Sequence, residues 1–225
     1  MLTRDVKPNR LERTKLAIKD LLKNVNGDRL GLMAFAGKAF LMCPLTVDYA
    51  GFSLSLDDLN TDSIPVGGTN IAKVIDKALK TFESNQLKYM ALVLLTDGEE
   101  VQGDAISAAR KAKEMGIKIF TIGIGTKDGD LIQIQNDEGN TEFLKDEAGN
   151  FVKSHLNEDL LGKIAYETGG AYVRSSGVEF GLDYLYKHEL SKWAKRDIEE
   201  KLERKYHEQF QWPLALALLF LVLAL

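Results

Sequence analysis

The sequence has one cysteine, Cys43, and three histidines, His155, His188 and His207. A lone cysteine excludes an internal disulfide framework and leaves the redox compartment open. The histidines are scattered without zinc-ligand spacing and read as solvated or capping side chains. A basic surplus is lacking too. With 29 Lys+Arg against 33 Asp+Glu the net charge is −4, which argues against nucleic acid as the main partner, because phosphate binders carry a basic stripe. The opening Met1-Leu2-Thr3-Arg4-Asp5 lacks the apolar core of a signal peptide. The run Gly123 to Gly129 misses the G-x-G-x-x-G spacing and has no acidic partner after a following strand, which removes the dinucleotide fingerprint.

What is present is an alternation of helix and strand signals. Asn9 to Val25 carries apolar residues at helical spacing and stops at Asn26-Gly27. Arg29–Phe35 reads as a strand, joined by Ala36-Gly37-Lys38 to an antiparallel strand Ala39–Cys43 that Pro44 is expected to stop. Helices are expected over Asp48–Leu59 and from Ile71, whose stripe Ile71, Val74, Ile75, Ala78, Leu79 and Phe82 follows Gly67-Gly68-Thr69-Asn70. Tyr89–Leu95 is continuously apolar, the mark of a strand buried on both faces of a parallel sheet. The helix Ala105–Met115, the strand Ile117–Ile122, the helix Glu158–Thr168 and the strand Ala171–Arg174 complete an α/β sheet with crossover helices. Between Asp130 and Leu156, period-2 patches predict a small antiparallel meander inserted after a sheet strand.

The C-terminal part is of another kind. From Asp183 to Gln211 acidic and basic residues are interspersed as on a solvated helix. Trp212 to Leu225 is an unbroken apolar run of roughly 21 Å as a helix, short of the ~30 Å hydrocarbon core. With no polar face and Trp212 at its junction it reads as an incomplete transmembrane helix. The organisation expected is a globular domain over 1–180, a charged juxtamembrane helix over 181–211 and a membrane segment over 212–225. The protein is then single-pass at the cell membrane, with its side undetermined by the balanced charges.

Ligands of open α/β sheets bind beyond the carboxyl ends of the strands. Asp97, in Leu94-Leu95-Thr96-Asp97-Gly98, lies just past the most apolar strand, and Thr69 stands at a helix start opened by Gly67 and Gly68. A carboxylate followed by glycine suits a hard cation or phosphoryl chemistry, and a hydroxyl at a helix start caps the helix or binds metal. On spacing alone the simpler reading, a cap and a turn residue, holds for both. A phosphoryl-transfer enzyme is the remaining alternative, weakened by the lack of a second Asp two residues on, a placed Lys or a nucleophile–base pair.

The Gly-Gly-Thr helix start followed by a buried strand ending Leu-Leu-Thr-Asp-Gly resembles two of the three parts of the metal-ion-dependent adhesion site of von Willebrand factor A domains. The sequence is similar in particular to the aerotolerance-type (Bat) membrane proteins, through Arg4-Asp5-Val6-Lys7-Pro8-Asn9-Arg10-Leu11-Glu12, Phe35-Ala36-Gly37, Phe143-Leu144-Lys145-Asp146 and the C-terminal apolar run. The resemblance implies a mostly parallel sheet of order 3-2-1-4-5-6 with helices on both faces. It also implies a non-catalytic interaction domain in which Thr69 and Asp97 hold Mg²⁺, supported by Gly67, Gly68 and Gly98, for a partner's acidic side chain. Work beside a MoxR-type AAA+ ATPase in envelope or oxidative-stress tolerance belongs to the same expectation. The family's first metal motif, Asp-x-Ser-x-Ser, ends a strand that is followed by Met and the Asp-Val-Lys-Pro segment, and Met1 falls on that Met. The central first strand and three of the ligands are then absent, as from an internal methionine or a fragmented gene. The alternative for such a chain is a metal-free structural membrane module.

Overall fold

The computed structural model describes residues 1, 3, 5–64, 68–85, 90–99, 103–135, 141–145, 149–175 and 180–191. The chain divides into a compact unit, Met1–Glu189, and a second unit, Leu190–Leu225, nearly all of which lies outside those residues. The charged helix beyond 191 and the apolar run Trp212 to Leu225 therefore fall outside the described residues, and among these no helix is long and apolar enough to cross a membrane.

The first helix, α1 (Arg10–Leu22), starts where the Asn9 side chain accepts a hydrogen bond from the Glu12 N–H. A hairpin follows. Strand β1 (Leu30–Phe35) pairs antiparallel with β2 (Ala39–Thr46) around the tight Ala36–Lys38 connection. The expected stop at Pro44 does not occur. Between the pairs Leu30↔Thr46 and Leu32↔Cys43 the second strand holds one residue more than the first. This bulge takes up the proline, whose missing N–H costs no ladder bond there. Asp48 caps α2 (Tyr49–Asp57) by accepting from Ala50 and Gly51 N–H.

Three strands form a parallel sheet in the order β3 (Ala91–Thr96), β4 (Lys118–Gly123) and, last in the chain, Tyr172–Arg174. Helices α3 (Ile71–Asn85) and α4 (Ala105–Glu114) pack against each other, as does α5 (Glu158–Glu167) against α4 and β4. Every residue of the predicted α3 stripe is buried. The facing side of α4 is Ala105, Ala108, Ala109 and Ala112, small enough for close helix approach.

The α/β architecture, the parallel strands and the one antiparallel hairpin agree with the sequence, but the sheet is in two pieces. Among the described residues β1 is bonded only to β2, and β3 only to β4. The burial expected on both faces of β3 is correspondingly incomplete. Central β4 is buried from Ile119 to Gly123, whereas Ala91, Leu92, Val93 and Leu95 of β3 are only half-buried. A strand with one neighbour leaves its other edge and the adjoining side chains open.

The insertion is antiparallel, as expected. Short strands β5 (Asp130–Leu131) and β6 (Gln133–Gln135) pair respectively with β8 (Lys153–Ser154) and β7 (Thr141–Phe143), with a bridge between Lys145 and Phe151. The strand Tyr172–Arg174 is thus β9. A short helix, α6 (Leu182–Leu185), buries Leu182 and Leu185 and contacts α1.

Candidate functional site

Asp97 directly follows β3 and is 8% exposed. Its backbone carbonyl accepts from the Asn157 N–H at 2.8 Å, which fastens the end of β3 to the start of α5. Gly98 permits this: a Cβ there would stand 2.8 Å from the Asn157 carbonyl oxygen and 2.9 Å from Leu161 Cγ.

The side chain of Asp97 is held on one side only. Oδ2 accepts from Arg10 Nη1 at 3.1 Å and from Ser154 Oγ at 3.0 Å. Among the described residues Oδ1 has two long contacts, Thr96 Oγ1 at 3.5 Å and the Glu99 N–H at 3.4 Å. One oxygen is thereby fixed and the other stays available.

The residue behind this arrangement is Arg10, the first of α1 and fully buried. Its Nε and Nη2 donate to Asp5 Oδ1 and Oδ2 at 2.9 and 2.8 Å, and its Nη1 also donates to Ser154 Oγ at 2.6 Å. Burial opposes the guanidinium charge, but the hydrogen bonds and charge of Asp5, with the charge of Asp97, outweigh it and hold the Arg10 pKa above its ordinary value. Asp5 Oδ2 in turn accepts from the N–H of Thr126 at 3.1 Å and its hydroxyl at 3.4 Å. The loop after β4, α1, the end of β3 and the insertion are thus joined through one guanidinium. Glu99 adds a further tie, its Oε1 accepting the His155 N–H at 2.6 Å.

The carboxylates of Asp5, Asp97 and Glu99 outnumber the two cationic groups beside them, the Arg10 guanidinium and the Met1 amine, which suits a further cation near Asp97. Mg²⁺ takes about six oxygens. Among the described residues no group of three or more His, Cys, Asp or Glu is arranged to hold a metal, and the residues present do not make a complete shell.

Thr69 stands just before α3 and is half-buried. The α3 cap is not Thr69 but its neighbour: Asn70 Oδ1 accepts the Lys73 N–H at 2.8 Å, and the Asn70 N–H donates to the Ala36 carbonyl, just past β1, at 3.0 Å. The simpler reading of Thr69 as a cap therefore falls away, because Asn70 satisfies that N–H. Thr69 and Asp97 are placed by separate sets of bonds, one at Ala36 and one at Arg10, each just beyond the end of a strand. Gly68 is exposed and Gly67 lies outside the described residues.

Arg10, Asp5, Ser154 and Glu99 carried no role in the sequence reading. Asp5 and Arg10 stand together in the Asp-Val-Lys-Pro-Asn-Arg run, which was a usable signal; Ser154 had none.

The Asp5 carboxyl makes stability depend on acid. Burial works against its ionisation, but the hydrogen bond and charge of Arg10, with the two donors of Thr126, hold its pKa below the ordinary 3.8. A depressed folded-state pKa contributes stability that is complete above the unfolded value and lost as pH falls through the folded one. Denaturation midpoints taken from pH 5 downward are expected to drop below about pH 4, and Asp5→Asn to flatten that drop while lowering the midpoint at neutral pH.

Residues 1–100 match the family model described as von Willebrand factor type A domain. An aerotolerance-related membrane protein from Bacteroides fragilis, solved with multiple mutations to serines, is 34% identical with a TM-score of 0.78, over 85% of this chain and 93% of that one. The conserved hypothetical protein BatB from Bacteroides thetaiotaomicron is 34% identical with a TM-score of 0.80, over 87% and 93%. An uncharacterised protein of Borreliella burgdorferi is 28% identical over 205 residues, 88% of this chain and 54% of its own length. The chain spans about half the length of the curated relatives it matches.

Proposed function

The chain belongs to the von Willebrand factor type A family, with aerotolerance-related membrane proteins among its relatives, and from that premise we propose that it is a membrane-anchored, non-catalytic interaction domain whose site binds a partner's acidic side chain through Mg²⁺. In this reading Asp97 Oδ1 and Thr69 Oγ1 are ligands. An Asp-x-Ser-x-Ser strand joined ahead of Met1 would supply the other protein oxygens, and the partner's carboxylate would complete the shell. The ion supplies charge for recognition and no chemistry; the chain's residues hold its ligands.

The observation that carries the reading is the position of Met1. Its carbonyl accepts the Leu11 N–H at 3.1 Å at the start of α1. Its amine is pushed below its ordinary pKa by burial, within electrostatic range of Asp97, Arg10, Glu99 and Asp5. A strand joined ahead of Met1 would therefore end within electrostatic range of Asp97. Among the described residues β1 and β3 each have one edge without a strand partner, which supports pairing with such a strand.

The partner in this reading is a MoxR-type AAA+ ATPase, in envelope or oxidative-stress tolerance. The test is capture of that ATPase, from the same source, by the chain extended with the Asp-x-Ser-x-Ser strand. Capture is expected in millimolar Mg²⁺ and expected to be lost in EDTA and in Asp97→Ala. Capture that is indifferent to both changes contradicts the cation-mediated reading and favours the metal-free structural module.

A further inference from the structure

We propose that the Arg10 guanidinium is a built-in counter-cation that keeps Asp97 ordered when no metal is bound, so that folding and cation binding at this site are separate events. The relevance to metal rests on the reading of Asp97 as a cation ligand; the counter-charge itself does not. A buried carboxylate without a compensating charge is costly, and removing one partner of a buried pair is strongly destabilising. Here the compensation is covalently part of the fold. Arg10 is 0% exposed and directs its donors to Asp5, Asp97 and Ser154. Its position is tightly set: a Cβ on Gly125 would fall 2.6 Å from its Cζ. Only Oδ2 of Asp97 is engaged at short range, so the guanidinium orients the carboxylate without covering Oδ1. With no ion bound, both carboxylates keep a charged hydrogen-bond partner in Arg10.

Melting midpoints of the full 225-residue chain, in detergent, with EDTA or with millimolar Mg²⁺, test this. The unmodified chain is expected to melt alike in both. Arg10→Lys keeps the charge but loses the fork, and is expected to melt lower yet remain indifferent to Mg²⁺. Arg10→Gln leaves Asp5 and Asp97 uncompensated. It is expected to melt several degrees below Arg10→Lys in EDTA. The double variant Asp5→Asn/Arg10→Gln, with one carboxylate fewer, is expected to melt above Arg10→Gln in EDTA. Equal losses in Arg10→Lys and Arg10→Gln, or a double variant no better than Arg10→Gln, overturn the proposal, since packing and not charge is then at stake. If Arg10→Gln does not fold, a folded double variant supports the proposal and an unfolded one overturns it. Failure of the extended chain to bind Mg²⁺, with the Lys–Gln difference intact, overturns the cation reading alone.

Discussion

Extending the chain ahead of Met1 with a strand that ends in Asp-x-Ser-x-Ser is expected to raise its melting midpoint by about 10 °C or more and to sharpen the transition. The hairpin β1–β2 and the parallel sheet β3–β4–β9 are separate among the described residues. One edge each of β1 and β3 therefore has backbone groups without sheet partners among the described residues, and Leu92, Val93 and Leu95 are only half-buried. A strand between them would be bonded on both edges and covered on both faces. Each large apolar side chain so buried contributes ~1.5–3 kcal/mol, so four or five of them approach the whole ~5–15 kcal/mol stability of an ordinary domain. The unextended chain is expected to melt lower and more broadly than the extended one. Circular dichroism melts of both forms decide the matter; a sharp, mesophile-range transition in the unextended chain contradicts it.

Gly125→Ala is expected to be among the most damaging single substitutions, at about 3–5 kcal/mol in denaturant titration of the extended chain. Gly125 has φ +117, which L side chains rarely adopt. A methyl there would stand 2.6 Å from Cζ and Nη2 of Arg10. The guanidinium is tied to Asp5, Asp97 and Ser154, so relief requires breaking a buried ionic network. Gly27→Ala is the control. Gly27 has φ +85 but nothing within 4 Å of its added Cβ, so it registers backbone strain alone, ~1 kcal/mol. Equal losses at the two glycines would show that Arg10 yields easily.

The fold was legible wherever local pattern and burial agree. The α3 stripe, the apolar β3, the hairpin at Ala36–Lys38 and the antiparallel insertion each follow from residues within one turn or one strand of each other. The sequence was less informative where a local rule was overridden. Pro44 does not end β2, because a bulge takes the missing donor. The α3 cap is Asn70, one residue past the threonine to which the motif drew attention. The site itself was legible only in part. Asp97 and Thr69 stand in recognisable segments, but what orients Asp97 comes from 87 and 57 residues away in sequence, at Arg10 and Ser154. Pairings of that separation leave no periodicity to read.

The most direct test of the proposed reading, a cation-mediated interaction site that an added strand makes whole, is calorimetric titration of Mg²⁺ into three proteins: the chain, the chain extended with an Asp-x-Ser-x-Ser strand, and that extended chain carrying Asp97→Ala. Saturable binding is expected in the extended chain alone, with little or no heat from the other two. Tight binding by the unextended chain, or binding that survives Asp97→Ala in the extended one, would contradict the account.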